Sequence, residues 1–430
     1  MRVIRRRILD EDNAFLLREF TESDITTTLF QMNPSKAPGP DGFSPGFFQH
    51  FWGTVKEDVV APCLSFLNCR GELPTGLNFT HIVLIPKRAN PRSMSDLRPI
   101  SLCNVIYRVL AKALANRFKQ VLQHVISLEQ SAFLPNRLIT DNAMIAFETL
   151  HYMRNRGRRK RGWQAVKLDM SKAFDRVEWS YLVQVMRAFG FAEDWIQLIM
   201  ACVTSVQYAV LLNGEPSERV TPSRGLRQGD PLSPYLFILC TEGLTAMIQE
   251  AERHKLLHGV RICRQAPRIS HLLFADDSLL FLRATETEAK NLLNILKDYE
   301  QVSGQVVNMQ KSFVTFSSNV QQATRSRILQ LLGMTETEQA GQYLGFPAHV
   351  GRSRTAAFSS LKLKFWTRIN DWREQPLSKA GREVLIKSVL QSLPTYIMGL
   401  FCLPLTLCSK LERIMNRYWW GGEEDTHKIH

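Results

Sequence analysis

The sequence predicts an α+β fold, with short strands joined as hairpins and set among longer amphipathic helices. Three observations carry this. Two Leu/Phe-rich runs within residues 270–282 flank Ala275, Asp276 and Asp277, a hairpin signal with adjacent carboxylates at its tip. Tyr208–Leu212 and Val220 flank Asn213-Gly214, the dipeptide that two-residue hairpin turns favour. Between Val105 and Ile126, the residues Ile106, Val109, Leu110, Ala113, Leu114, Phe118, Val121 and Leu122 recur at helical spacing.

In chain order, residues 10–32 read as a helical lead-in. Residues 33–43 hold three prolines and two glycines, which forbid helix and set a shaped loop. Phe43, Phe47, Phe48, Phe51 and Trp52 follow, so the loop is expected to be packed. Residues 80–87 form a strand signal ended by proline, and residues 97–101 resume it after a polar loop. Lys87 and Arg98 sit near the ends of this unit, where two cations suit a phosphate chain. After the 105–126 helix, residues 130–137 are a loop, and Asp141 is placed to cap a helix running to about Met153. Residues 154–161 are a basic loop, either a solvated turn or a nucleic-acid or nuclear-import patch.

Trp163 to Asp169 is a short strand ending on an aspartate. A helix from about Glu178 to Phe189 stops at Gly190. Asp230 as N-cap and Pro231 at the first helical position predict a helix from there to about His254. Gly229, just before it, lets the backbone pass close to a neighbour. Thr285 and Glu288 form a capping-box pattern for a helix ending at Gly304. A strand around Lys311 spans Val306 to Val314, and Tyr343 to Phe346 is a short apolar turn. From about Arg354 the chain is helical and mixed in charge.

The 430 residues suggest about three domains or subdomains of ordinary size. The net charge of +14, from 54 Lys+Arg against 40 Asp+Glu, suits a polyanionic partner. The eight cysteines are scattered, with neither a CxxC pair nor zinc spacing, and read as reduced core residues of an intracellular protein. No apolar run approaches the roughly 20 residues of a membrane span. The basic start is followed by Asp10, Glu11 and Asp12, where a signal peptide would be apolar.

An Asp-Asp hairpin tip is ordinarily just a solvated turn. Here apolar runs crowd it, and carboxylates in such a setting neutralise, pair or bind a cation. Asp169 ends another strand about a hundred residues earlier. If the strands are neighbours, three carboxylates converge, as two-metal phosphoryl transfer requires. Phe174 lies five residues beyond Asp169, where a ring can sense a ribose 2′-hydroxyl. Gln228 and Gly229 are candidates for holding a template or incoming base. Lys87, Arg98 and Lys311 are candidates for neutralising triphosphate charge.

The chain resembles reverse transcriptases of plant non-long-terminal-repeat (LINE-type) retrotransposons. The resemblance rests on KAPGPDGF at 36–43, LIPK at 84–87, LRPISLCNV at 97–105 and QSAFLPNR at 130–137. KLDMSKAFDRVEW at 167–179, GLRQGDPLSPYLF at 225–237 and LLFADDSLLF at 272–281 decide it, with GQVVNMQKS at 304–312 and YLGF at 343–346. It covers about residues 20 to 350, and the later LSKAGREVLIKSVLQSLPTY also fits.

The resemblance implies a right-hand polymerase: a palm of antiparallel sheet backed by helices, with fingers and a helical thumb. The implied division is a helical lead-in at 1–32, fingers with part of the palm at 33–165, palm at 166–350 and a truncated thumb or linker at 351–430. It implies that Asp169, Asp276 and Asp277 bind two Mg²⁺ ions, with Mn²⁺ as an alternative. It implies sugar discrimination by Phe174, finger cations in Lys87 and Arg98, and a template–nucleotide turn at Gln228 and Gly229. Lys311 matches a palm lysine that acts as general acid. Tyr343, Leu344 and Gly345 match a primer grip.

The implied partners are an RNA template, a DNA primer and dNTPs, with no membrane and with nuclear localisation. The endonuclease, zinc segment and RNase H region of longer elements are not recognised in the sequence, so a separate endonuclease in trans is the expectation. Oligomeric state stays open. The alternative is an inactive remnant that binds RNA or DNA only; an intron maturase would need a further helical domain. Asn136 stands where glycine is expected, and asparagine tolerates the positive φ that such a position asks for.

Overall fold

A computed structural model describes residues 3–69, 73–155, 162–337, 342–347, 358–373 and 375–420. The lead-in is two helices, α1 (Asp10–Leu17) and α2 (Glu22–Phe30). They break because Thr21 caps α2, accepting from the Asp24 N–H while the Asp24 carboxylate bonds back to the Thr21 N–H. The Pro/Gly stretch is a packed loop. Arg108 donates to the Ala37 carbonyl at 2.8 Å, and the Asp41 N–H donates to Asn104 Oδ1 at 3.2 Å. Helices α3 (Pro45–His50) and α4 (Trp52–Cys69) follow, carrying the expected cluster of phenylalanine rings.

The first sheet has the order β2-β1-β5-β6, with β1 (Phe79–Pro86), β2 (Leu97–Cys103), β5 (Gln207–Leu212) and β6 (Glu215–Pro216). Strands β1 and β2 are antiparallel, with Ile85 opposite Arg98, whereas β1 and β5 run parallel. Helix α5 (Val105–Val125) matches its predicted span. Helix α6 (Ile139–Arg154) begins at Leu138, so Asp141 lies inside the first turn and does not cap it. Residues 156–161 of the basic loop lie outside the described residues.

The second sheet, with the order β11-β10-β3-β8-β7, positions the site. It contains β3 (Trp163–Leu168), β7 (His271–Phe274), β8 (Asp277–Arg283), β10 (Phe313–Phe316) and β11 (Thr335–Glu336). All neighbours are antiparallel except β10 and β11. Its two faces follow the period-2 alternation of the strands. Val166, Leu168, Leu280, Leu282 and Val314 join the main core with α7 (Trp179–Phe189), α9 (Ser233–Arg253) and α10 (Glu286–Ser303). Trp163, Ala165, Leu279 and Phe281 pack on the other face against Ala146, Leu150 and Met153 of α6 and against Tyr343. The division expected between residues 165 and 166 therefore falls inside β3.

Four of the described helices go beyond the sequence reading: α3, α4, α8 (Glu193–Thr204) and α11 (Gln322–Leu332). The expected strand from 306 to 314 is split. Val306–Val307 (β9) pairs with Met170–Ser171 (β4), β10 joins the main sheet, and Lys311 lies on the turn between them. Helix α9 starts at Ser233 rather than Pro231. Asp230 still serves that end, accepting from the N–H groups of Leu232 at 2.7 Å and Ser233 at 3.3 Å. Thr285 caps α10, but the Glu288 carboxylate reaches the Arg283 N–H and His258 instead of closing the box.

A small hairpin of β12 (Gln342–Tyr343) and β13 (Phe346–Pro347) precedes the C-terminal helices α12 (Ser359–Arg373), α13 (Lys379–Leu385), α14 (Thr395–Met398) and α15 (Leu405–Trp420). Helices α12, α14 and α15 share a second core that includes Phe365, Ile369, Ile397, Leu411 and Ile414 and takes in Ala143 of α6. Among the described residues, no helix is long and apolar enough to cross a membrane.

Candidate active site

Strands β3 and β8 pair in the register that sets Leu168 opposite Ser278. Asp169 directly follows β3 and Asp277 opens β8, so the two stand at the same end of the paired strands. Asp276 sits at the tip of the β7–β8 hairpin, which Phe274 and Asp277 close as a pair. Asp169 is pinned by its own backbone. Its N–H donates to Ser312 Oγ at 3.1 Å, and its carbonyl accepts from the Asn308 N–H at 2.8 Å.

The Asp276 carboxyl is raised above the usual carboxylate range. Loss of water is the main cause, and the charges of Asp277 and Asp169 add to it, while Arg98 pulls the other way. Although open at its tip, Asp276 is walled by protein, and Arg98 of β2 lies close enough for its charge to be felt.

Asp277 is engaged differently, since its Oδ1 lies 3.3 Å from Lys167 Nζ. Among the described residues, no three His, Cys, Asp or Glu side chains are grouped as a ready ligand set for a metal ion. The donors still suit a hard divalent cation. The partly desolvated Asp276 carboxylate lies within electrostatic reach of Asp277 and Asp169, and such a cation is commonly held by one or two carboxylates plus substrate phosphates.

Around this pair the other candidates take distinct places. Lys87 Nζ donates to the Ser95 carbonyl at 3.0 Å, and its charge reaches Asp175. Burial raises the Asp175 carboxyl, while Lys172, Lys87 and Arg176 oppose the shift. The Phe174 ring stacks on Phe237 at 4.4 Å, and its carbonyl accepts from the Leu226 N–H at 2.8 Å. The Gln228 carbonyl accepts from the Ser101 N–H at 2.9 Å. Gly229 has φ +108°, and a Cβ there would lie 3.2 Å from the Ser101 carbonyl oxygen, so the expected close approach is present.

Lys311 is exposed on the turn from Asn308 to Ser312, the same turn that pins Asp169. The Tyr343 hydroxyl donates to Asn142 Oδ1 at 2.9 Å, and the ring lies within electrostatic reach of Asp277. Leu344 and Gly345 both have positive φ, as the tightest hairpin turns require, and the Leu344 carbonyl accepts from the Tyr396 hydroxyl at 2.8 Å.

The structure thus sets Asp276 within electrostatic reach of Asp169, Asp277 and Arg98 without grouping the three carboxylates as the expected ligand set, puts Tyr343 within reach of Asp277 and hangs Lys311 on the adjoining turn. Residues that the sequence reading passed over hold them. Lys167, Asn308 and Ser312 lie inside its quoted motifs, but what they touch is set by strand register. Arg227 is buried beneath Gln228, donates to Tyr107, Asn78 and the Cys202 carbonyl, and pairs with Asp230 at 3.0 Å.

Comparison with known proteins matches residues 85–348 to the family described as Reverse transcriptase (RNA-dependent DNA polymerase). The chain belongs to the reverse transcriptase family. Over 417 residues, 94% of its length, the reverse transcriptase is 27% identical to the Transposon TX1 uncharacterized 149 kDa protein of Xenopus laevis. Over 68% of its length it is 29% identical to the Retrovirus-related Pol polyprotein from type-2 retrotransposable element R2DM of Drosophila melanogaster. A stretch of 68 residues, 16% of the chain, is 60% identical to an uncharacterized mitochondrial protein of Arabidopsis thaliana and covers 56% of it. The chain spans 30% of the Xenopus protein and 26% of the Drosophila polyprotein. The reaction that names the family is RNA-dependent DNA synthesis.

Proposed function

We propose that this chain extends a DNA primer on an RNA template with dNTPs, through Asp169 and Asp276. The observation that carries this reading is that Asp169 ends β3 beside the start of β8, at whose hairpin tip Asp276 feels the charges of Asp169, Asp277 and Arg98. Asp169 and Asp276 would hold Mg²⁺, with Mn²⁺ as a substitute, and Asp277 would join after releasing Lys167. Metal bound there would supply charge neutralisation on the triphosphate and ease loss of the primer 3′-hydroxyl proton to solvent. The 3′-oxygen attacks the α-phosphorus, and pyrophosphate leaves.

Lys87, one residue past β1, and Arg98 on β2 grip the triphosphate as two cations near the same end of one strand pair. Phe174, backed by Phe237, walls the sugar, and Gln228 and Gly229 support the template–nucleotide pair. Lys311 supplies a proton toward pyrophosphate, and the hairpin at Tyr343 to Gly345 guides the primer. The likeness to the Arabidopsis protein supports a plant LINE-type origin. The basic residues at 154–161 support work in the nucleus.

The deciding assay is extension of a DNA primer on an RNA template with Mg²⁺. Wild type extends, and Asp276→Asn combined with Asp277→Asn does not; extension by the double variant sinks the mechanism. The Lys167–Asp277 ion pair favours a second reading, an inactive remnant that only binds nucleic acid. That reading predicts salt-sensitive binding with no extension by the wild type.

A further inference from the structure

The loop at 130–137 carries a recognisable motif to which the reaction above gives no task. Gln130 within it is fully buried. Its Oε1 accepts two backbone N–H groups, those of Ala132 and Ala275, each at 3.0 Å. Its Nε2 donates to Thr241 Oγ1 at 3.3 Å. Ala275 immediately precedes Asp276 and has φ +52°, a conformation that residues with a Cβ rarely adopt. Phe274 and Asp277 close a two-residue turn, a geometry usually given to glycine or asparagine at its first central position. Such a turn leaves that residue's N–H outside the ladder, and the Gln130 side chain is its partner.

The surroundings make this attachment stiff. The Leu273 N–H donates to the Glu129 carbonyl at 2.8 Å, and the Ser131 N–H donates to the Leu273 carbonyl at 3.1 Å. Arg137 ties the loop to the end of α5, donating to the carbonyls of Gln123 at 3.0 Å, Ile126 at 2.7 Å and Gln130 at 2.6 Å. On the other side, Asn142 Nδ2 donates to the Leu273 carbonyl at 2.8 Å while its Oδ1 accepts from Tyr343.

We infer that Gln130 is a positioning residue for the carboxylate turn, fixing Ala275 so that Asp276 faces Asp169. This rests on the polymerase reading given above. It makes Gln130 a determinant of the chemical step rather than of substrate binding, because the side chain is fully buried and spends its bonds on Ala132, Ala275 and Thr241. Loss of its acceptor frees the turn to leave a conformation that Ala275 does not favour on its own.

The test compares Gln130→Met, which keeps length without the acceptor, with Gln130→Glu, which keeps an acceptor oxygen at the same reach. Hydrogen exchange is followed on the peptide containing Ala275, alongside kcat, the dNTP KM and primer–template affinity. In Gln130→Met, exchange at Ala275 is expected to quicken about tenfold or more as the protecting bond is lost. Its kcat is expected to fall about tenfold or more, while KM and affinity stay within about twofold. Gln130→Glu should restore protection and rate together. A purely structural glutamine would lower the melting temperature with no such split between kcat and KM.

Unchanged exchange in a folded Gln130→Met overturns the inference, as does faster exchange with a wild-type kcat. If Gln130→Met does not fold, Gln130→Asn, whose acceptor is withdrawn by about 1.5 Å, takes its place under the same criteria. Exchange needs no catalysis, so a wild-type chain without extension would sink the polymerase reading while the exchange data still judge the attachment.

Discussion

At the scale of single residues, Asp276 shows how function opposes stability. Burial and two like charges raise its pKa in the fold. Between the ordinary carboxylate value and that raised one, the folded chain holds a proton that the unfolded chain has released. Stability therefore falls as pH rises through this window and stays lower above it. Asp276→Asn removes the charge. The expected outcome is a flatter profile of stability against pH and a higher Tm than wild type at pH 7.5, both read by thermal melting without divalent cations. The same variant should lose extension by about 10³-fold, since a preorganised charge at the reacting centre is gone. Phe174 gives a second prediction at this scale. Its stack on Phe237 leaves the ring little freedom to retreat from a 2′-hydroxyl. Phe174→Val should lower the preference for dNTPs over NTPs by about tenfold or more, measured as the ratio of kcat/KM values.

At the scale of elements, the turn after β4 and the loop before α9 are locked together. The Gly225 N–H donates to the Val177 carbonyl at 2.8 Å, the Leu226 N–H to Phe174 at 2.8 Å, and Trp179 Nε1 to the Gly225 carbonyl at 2.8 Å. Gly225 has φ +95°, and a Cβ there would stand 2.7 Å from the Asp175 carbonyl oxygen. Gly225→Ala should cost about 2 kcal/mol or more, from strain and clash together. It should also raise the dNTP KM, because the displaced turn carries Phe174; denaturant melts and steady-state kinetics check the two effects. Elements of this kind explain what the sequence made legible. Helix α5 and the β7–β8 hairpin announce themselves through local period and composition. Asn136, at φ +61°, takes the left-handed conformation expected of it. Helix α8 was missed, although Glu193 and Asp194 open it and Trp195, Ile196, Ile199 and Cys202 line its buried face. The strand around Lys311 was drawn too long, because the break at Asn308 to Ser312 exists to bond Asp169, a partner 143 residues away in the case of Ser312. Asp277 with Lys167 and Gln130 with Ala275 are likewise contacts made by register and packing, which no local pattern encodes.

At the scale of the whole molecule, the N-terminal segment staples distant parts of the core. The N–H groups of Arg7 and Ile8 donate to the Phe189 carbonyl at the end of α7, at 3.1 and 3.0 Å. The Arg7 guanidinium reaches the Val125 carbonyl at the end of α5, Ser127 Oγ at 3.1 Å and Glu242 Oε2 on α9 at 3.1 Å. Glu242 is buried, accepts from Ser127 Oγ at 2.6 Å, and has its carboxyl pushed up to about 7, mainly by burial. Arg7 opposes that shift, so removing it leaves an ionised Glu242 with the Ser127 hydroxyl as its main compensation. Breaking a buried pair from one side costs about 3 kcal/mol, and Arg7→Ala is expected to approach that above pH 7. The sign follows from the raised value. Between about pH 4.5 and 7 the folded chain retains the Glu242 proton, so wild-type stability declines across this window as pH rises and levels off above it. Arg7→Ala should extend the decline to higher pH, whereas Glu242→Gln should flatten it. The double variant Arg7→Ala with Glu242→Gln should be more stable at pH 8 than Arg7→Ala alone, by about 1 kcal/mol or more of coupling. Denaturant melts of the four proteins at pH 5 and pH 8 decide it. Strict additivity at both values would mean that the segment is held by its backbone bonds to Phe189 and not by the charge it brings to α9.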